Sequence, residues 1–139
     1  MCVGLASANQ AEEAKTFVKK AVSMAQKEGL DKTFKAISNR KGPFVKGQMY
    51  VFAGDFEKTT LLAHPFAPEM MIGSNMKDFK DRKGIPVFVE FAKILKDSGE
   101  GWLEYLGRDR ITSKDQPKKA YVMRVPGTTI FMGCAYYLK

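Results

Sequence analysis

Ala14, Phe17, Val18, Ala21, Val22 and Ala25 recur at intervals of three and four, with lysine, glutamate and glutamine between them. That spacing predicts an amphipathic helix with one apolar stripe, closed near Gly29, a residue type favoured just past a helix end. A second, shorter helix is expected to bury Leu30, Phe34 and Ile37, with Asp31 as its N-terminal cap. Residues 39–42 break the pattern, and Pro43-Phe44 lead into extended chain. Residues 49–53 are apolar on both faces and read as a central strand. Residues 54–58 make a turn, and residues 59–64 return as a second strand. Residues 65–84 read as a long, irregular, polar segment with room for short helical turns. A connection this long without regular structure is uncommon in a compact domain and often serves as a binding loop or lid.

Pro86 suits the first turn of a third helix, with Phe88, Phe91, Ala92 and Leu95 as its buried stripe and Gly99 as its stop. Three strands follow at residues 102–106, 119–125 and 129–137. Residues 108–117 form a polar hairpin loop, and Pro126-Gly127 a tight turn. The order is α-α-β-β-α-β-β-β. Sequential strands joined by short turns imply an α+β domain built on a five-stranded antiparallel sheet. The long N-terminal helix is expected on one face of that sheet. The irregular segment after the second strand is expected to cover the other face, where a pocket would form. The 139 residues suit one domain with one core.

Composition changes this picture little. Apolar residues make up 45% and charged residues 27%, an ordinary globular balance. No apolar run approaches the ~20 residues that span a bilayer. The formal charge of +8 would suit nucleic acid, an anionic surface or a small acid. The basic residues are scattered, however, and no arginine-rich arm, zinc finger, RNP or helix-turn-helix pattern is present. Nucleic acid is therefore not an expected partner. Most lysines solvate the surface, and a pocket for an anion needs only one or two.

The first eight residues, Met1-Cys2-Val3-Gly4-Leu5-Ala6-Ser7-Ala8, look like the tail of a secretory leader, with Ala6-Ser7-Ala8 fitting the small-x-small cleavage rule. This predicts a leader remnant at 1–8, a single domain at 9–139, and export to the periplasm. Cleavage would remove Cys2 and leave Cys134 alone. The two cysteines have no metal-ligand spacing and no CxxC motif. Cys134 is expected to pack as a small apolar residue within a strand.

Candidate chemistry begins with His64, the only histidine, set between an apolar run and Pro65. The proline holds it extended at a strand end, where it can donate to a carboxylate or respond to pH. The plainer reading is a ring hydrogen-bonded to the backbone of the adjoining turn. Lys118 and Tyr121 together would neutralise and hydrogen-bond a carboxylate. Strict strand alternation puts them on opposite faces, and Lys119 shares parity with Tyr121. Trp102 and Tyr105 also have opposite parity, so one faces the core and the other the ligand side. Tyr50 and Phe52 share one strand face and can line a pocket wall together. Asp81 and Gly84 are expected to set a turn. An enzyme would need His64 beside Cys134 or a tyrosine, with a thiol of lowered pKa. No recognised catalytic motif surrounds these residues, and no cofactor is expected.

Several ordered motifs carry a family resemblance. They are Gly42-Pro43-Phe44, Tyr50-Val51-Phe52, Leu62-Ala63-His64-Pro65 with Gly73-Ser74-Asn75, and Asp81-Arg82-Lys83-Gly84. Then come Gly101-Trp102-Leu103-Glu104-Tyr105, Lys118-Lys119-Ala120-Tyr121-Val122 and Met132-Gly133-Cys134-Ala135-Tyr136-Tyr137. Together, from about Ala11 to Lys139, they resemble the single Cache domain family, the PAS-like extracytoplasmic sensor domains of chemoreceptors and histidine kinases. Ala135 departs from the family's usual glycine. The resemblance implies a non-catalytic sensor for a small organic acid such as lactate, pyruvate, acetate or propionate. It implies a ligand site drawn from His64, Lys118, Tyr121, Trp102, Tyr105, Tyr50 and Phe52. It also implies pairing of the N-terminal helix across a homodimer and a separate membrane signalling protein as partner. The competing expectation is a basic protein-interaction module with no small-molecule ligand.

Overall fold

A computed structural model of the chain describes residues 2–138, with side chains over residues 9–138. The elements are α1 (Cys2–Glu28), α2 (Leu30–Ser38), β1 (Val45–Lys46), β2 (Met49–Asp55), β3 (Thr60–Ala63), α3 (Val87–Ser98), β4 (Glu100–Arg108), β5 (Asp115–Arg124) and β6 (Ile130–Tyr137). A single 3-10 turn, Glu69–Met71, interrupts the long connection between β3 and α3. All pairings are antiparallel. The sheet runs β4-β5-β6-β2, and both β1 and β3 attach to the outer edge of β2.

This is the expected α+β PAS-like arrangement with one more strand than the sequence predicts. The addition, β1, is two residues long, too short to show any alternation of polar and apolar positions. β4 and β5 are also longer than expected, which shrinks the hairpin loop between them to residues 109–114. Two capping expectations change. Gly29, at φ 94°, takes the N-cap of α2 and Asp31 sits inside the first turn, making no side-chain cap. There its charge meets the positive end of the helix dipole. Thr33 Oγ1 donates to the Gly29 carbonyl at 2.8 Å. Pro86 is the N-cap of α3 rather than part of its first turn.

The period-two alternation of the strands divides the interior into two layers. On one face, Val51, Ala53, Tyr121, Met132 and Cys134 pack against Ala14, Val18, Ala21 and Val22 of α1 and Ile37 of α2. On the other, Phe52, Ala120, Val122, Phe131 and Ala135 meet Phe88, Phe91 and Leu95 of α3. Gly133 allows the second layer to close. A Cβ there would stand 2.5 Å from Phe52 Cζ.

The long connection is tied to the sheet at several points. Gly73 N–H donates to the Leu61 carbonyl at 2.6 Å, Leu61 N–H to the Ser74 carbonyl at 3.3 Å, and Met76 N–H to the Thr59 carbonyl at 2.7 Å. These bonds cover the free edge of β3, which would otherwise present unpaired backbone to other chains. No helix among the described residues is long and apolar enough to cross a membrane.

Candidate functional site

Tyr50 and Phe52 on β2, Tyr105 on β4 and Lys118 on β5 all point to the α3 face, where the long connection arches over them. With His64, just past the end of β3, they line a cavity of about 450 Å³. Phe91 and Phe88 of α3 and Met71 and Met76 of the connection complete its apolar wall.

Lys118 is buried, which its sequence position did not settle. Its Nζ lies 5.5 Å from the Tyr50 ring centroid and 4.9 Å from that of Tyr137, distances at which an aromatic face attracts a cation. Gly107 makes the position available. On β4 it lies beside Lys118, and a Cβ there would fall 2.0 Å from Lys118 Cδ. Burial pushes the ammonium pKa down to about 8, with Arg110 acting in the same direction and Cys134 and Asp109 opposing. Lys118 is thus still mostly charged at neutral pH. Burial also raises the pKa of the Tyr50 phenol to about 12, and that of Tyr105 strongly, so both remain neutral hydrogen-bonding groups.

His64 is hydrogen-bonded to the backbone of the adjoining turn, the plainer of the two readings, while its ring also lines the cavity. Its Nδ1 accepts from Phe66 N–H at 3.0 Å and from Ala67 N–H at 2.9 Å. An acceptor nitrogen carries no proton, so these bonds assign the ring proton to Nε2. Burial, then Lys118 and Arg110, lower its pKa to about 4. The ring is neutral at physiological pH and offers one N–H donor. Tyr50 packs 4.7 Å from it and Phe52 stacks at 6.3 Å, centroid to centroid.

Two arginines hold the turn after His64. Arg110, on the β4–β5 loop, stands 3.7 Å above the Phe66 ring. Arg40 approaches the same ring at 5.4 Å and donates through Nε to the Pro65 carbonyl at 2.9 Å. Farther along the connection, Asp81 builds the turn expected of it. Oδ1 accepts from Lys83 N–H at 2.9 Å and Ile85 N–H at 2.8 Å, and Oδ2 accepts from Leu106 N–H on β4 at 2.8 Å. Burial opposes the charge, yet these three donors hold the carboxyl below its ordinary pKa. Gly84 takes φ 87° to close the turn.

Trp102 and Tyr121 are placed elsewhere, a correction to the site drawn from the sequence. The β4–β5 register is unbroken from Glu100↔Met123 to Arg108↔Asp115, so no bulge brings them round. Both lie on the α1 face, 5.1 Å apart between ring centroids, with Tyr136 6.2 Å from Trp102. Tyr121 donates its hydroxyl to Glu100 Oε1, and Lys119 lies 5.3 Å over the Trp102 ring. Cys134 is buried on this same face, and burial raises its thiol pKa. It is not the activated thiol beside His64 that a Cys–His enzyme requires. The side chain of Cys2 lies outside the described residues. Among the described residues, no group of three or more His, Cys, Asp or Glu side chains could hold a metal ion.

Sequence reasoning missed Arg110, Gly107, Met71 and Met76. A glycine inside a strand signals close approach by another group, so Gly107 was legible in principle. The methionines and Arg110 reach the site only through the path of two loops.

Comparison with known proteins gives a consistent result. The Cache domain family model matches residues 5–139. A Cache chemosensory domain solved for its carboxylic acid recognition superposes with TM-score 0.78 at 19% identity, over 96% of each chain. A methyl-accepting chemotaxis protein from Vibrio parahaemolyticus gives TM-score 0.78 at 18% identity, over 98% of this chain and 93% of that one. The periplasmic sensor domain of a chemotaxis protein gives 0.69 at 20%, over 94% and 92%. At these identities the structural likeness establishes the fold.

Proposed function

The chain belongs to the Cache domain family, and from that premise we propose that its cavity binds a small organic anion and reports it to a signalling partner. The head group we assign is a carboxylate, as in acetate, propionate, lactate or pyruvate. The observation that carries this reading is the presence of Lys118 and His64, close enough to interact electrostatically, in the lining of one aromatic-walled cavity. A buried ammonium is costly to desolvate unless an anion compensates it. The neutral His64 ring supplies an N–H donor without adding charge, and Tyr50 and Tyr105 supply phenols for the remaining carboxylate lone pairs. A related fold that recognises carboxylic acids supports the same head group.

The same proposal includes export, with residues 1–8 as a leader remnant and residues 9–139 as the sensor domain. It includes a homodimer formed along α1 and a separate membrane protein as receiver. Binding would move the connection over the cavity, and α1 would carry the change to the partner.

The test is thermal unfolding of the chain at pH 7 in the presence of two- to four-carbon mono- and dicarboxylates and amino acids. A ligand at ~100 times its dissociation constant adds about 2.7 kcal/mol to the native state. Stabilisation by a monocarboxylate, lost in Lys118→Met, is the expected result. No stabilisation across the panel would overturn the proposal.

A further inference from the structure

A carboxylate held by Lys118 and His64 would occupy only part of this cavity. Beyond Lys118 the wall is a continuous series of rings. The Tyr50 ring lies 5.5 Å from the ammonium, and His64 packs 4.7 Å from Tyr50, centroid to centroid. Phe52 lies 6.3 Å from His64, Phe91 5.8 Å from Phe52, Phe88 5.7 Å from Phe91, and Phe79 6.3 Å from Phe88. The series ends at Phe79, which is 44% exposed and so marks the mouth. Met71 and Met76 line the same space from the connection. Their unbranched thioethers adapt to the shape of whatever lies against them and contact aromatic rings favourably.

A volume of about 450 Å³ lies within the range of pockets that enclose drug-sized ligands. Acetate or lactate would fill the cationic end and leave the phenylalanine wall facing water. Two of the charged side chains lining the cavity away from Lys118 are already engaged within the protein. Arg82 is already bridged to Asp115 through Nε at 2.6 Å, and the Asp81 carboxylate is committed to three backbone N–H donors.

Resting on the carboxylate reading above, we infer that the preferred ligand is a monocarboxylate with an aromatic body, an arylalkanoic acid of the 3-phenylpropionate kind. Its carboxylate meets Lys118 and His64, and its ring lies along Phe52, Phe91 and Phe88 toward Phe79. Short acids bind the same head-group site with lower affinity. Each buried methylene contributes roughly fourfold in affinity, so a phenyl ring sheltered by the wall adds on the order of 100-fold over propionate.

Isothermal titration at pH 7 with acetate, propionate, hexanoate, 3-phenylpropionate and neutral 3-phenylpropanamide tests this. Affinity is expected to climb along the acids and to peak at 3-phenylpropionate, with the amide far weaker. Phe79→Ala, at a partly exposed position that does not threaten folding, should lower 3-phenylpropionate affinity severalfold and leave propionate unchanged. Phe88→Leu should lower 3-phenylpropionate affinity more strongly than it lowers propionate affinity. Equal affinity for propionate and 3-phenylpropionate would overturn the inference and leave the carboxylate reading standing. An amide as tight as the acid would overturn it through its premise, and binding of none of the five would remove both.

Discussion

Tyr121 and Lys118 stand three residues apart on β5 and serve opposite layers. Tyr121 packs its ring on Trp102 and gives its hydroxyl to Glu100. Lys118 carries an ammonium to a buried place beside two phenol rings. The α1 layer is a conventional core, in which apolar burial stabilises the fold. The α3 layer keeps a cavity and a buried cation, both of which cost stability. A single strand thus feeds a ring to the α1 core and a cation to the cavity set within the α3 layer.

The largest test of that division is on the α1 side. Trp102→Ala should lower unfolding free energy by roughly 2–3 kcal/mol, somewhat less than a fully buried aromatic because this ring is only partly buried. Ligand affinity of the protein that remains folded should change less than twofold. A collapse of affinity in folded Trp102→Ala would break the division.

Acid titration probes the α3 side. His64 titrates near 6.5 when unfolded and near 4 when folded. Between those values the unfolded chain binds the extra proton, so stability falls as pH drops from 6.5 to 4. The loss attributable to this ring is up to about 3 kcal/mol. Denaturant titrations at pH 7 and pH 4 should show a smaller difference in His64→Gln than in the parent.

Lys118→Met separates binding from stability. Carboxylate affinity should fall about 10- to 100-fold, the worth of a charge-assisted hydrogen bond, while thermal stability holds or rises because a desolvated cation has gone. In the unmodified protein, affinity should decline as pH climbs through about 8, because ligand binding then requires Lys118 to recover a proton. A flat affinity profile from pH 7 to 9.5 would remove Lys118 from the site.

Gly107→Ala sharpens the comparison with the smallest perturbation. The new methyl would displace the Lys118 side chain, a flexible group, rather than backbone. Affinity should drop about tenfold, approaching the lower end of the Lys118→Met range, with the melting temperature nearly unchanged.

The fold was legible because its signals are local. The apolar stripe of Ala14, Val18, Ala21 and Ala25 and the two-sided apolar run of β2 each declare their element within a few residues. The site was legible only in part. Parity on one strand shows that Lys118 and Tyr121 diverge, but it does not say which of them the cavity takes. That depends on which face α3 and the connection cover, a tertiary fact. Arg110 escaped notice for a related reason. It sits 44 positions from Phe66 along the chain and reaches that ring only because the β4–β5 hairpin folds back over the His64 turn.

Trp102 is the only tryptophan in the chain and lies across the sheet from the cavity. Its emission therefore reads the α1 layer and is shielded from direct quenching by anything bound above Phe52. A change in tryptophan fluorescence on titrating a non-absorbing acid such as propionate would mean that occupancy on one side has repacked the other. An unchanged spectrum alongside clear calorimetric binding would mean that the sheet stays rigid and the connection alone responds. The protein thus carries its own optical probe, placed where it distinguishes a transmitted signal from simple binding.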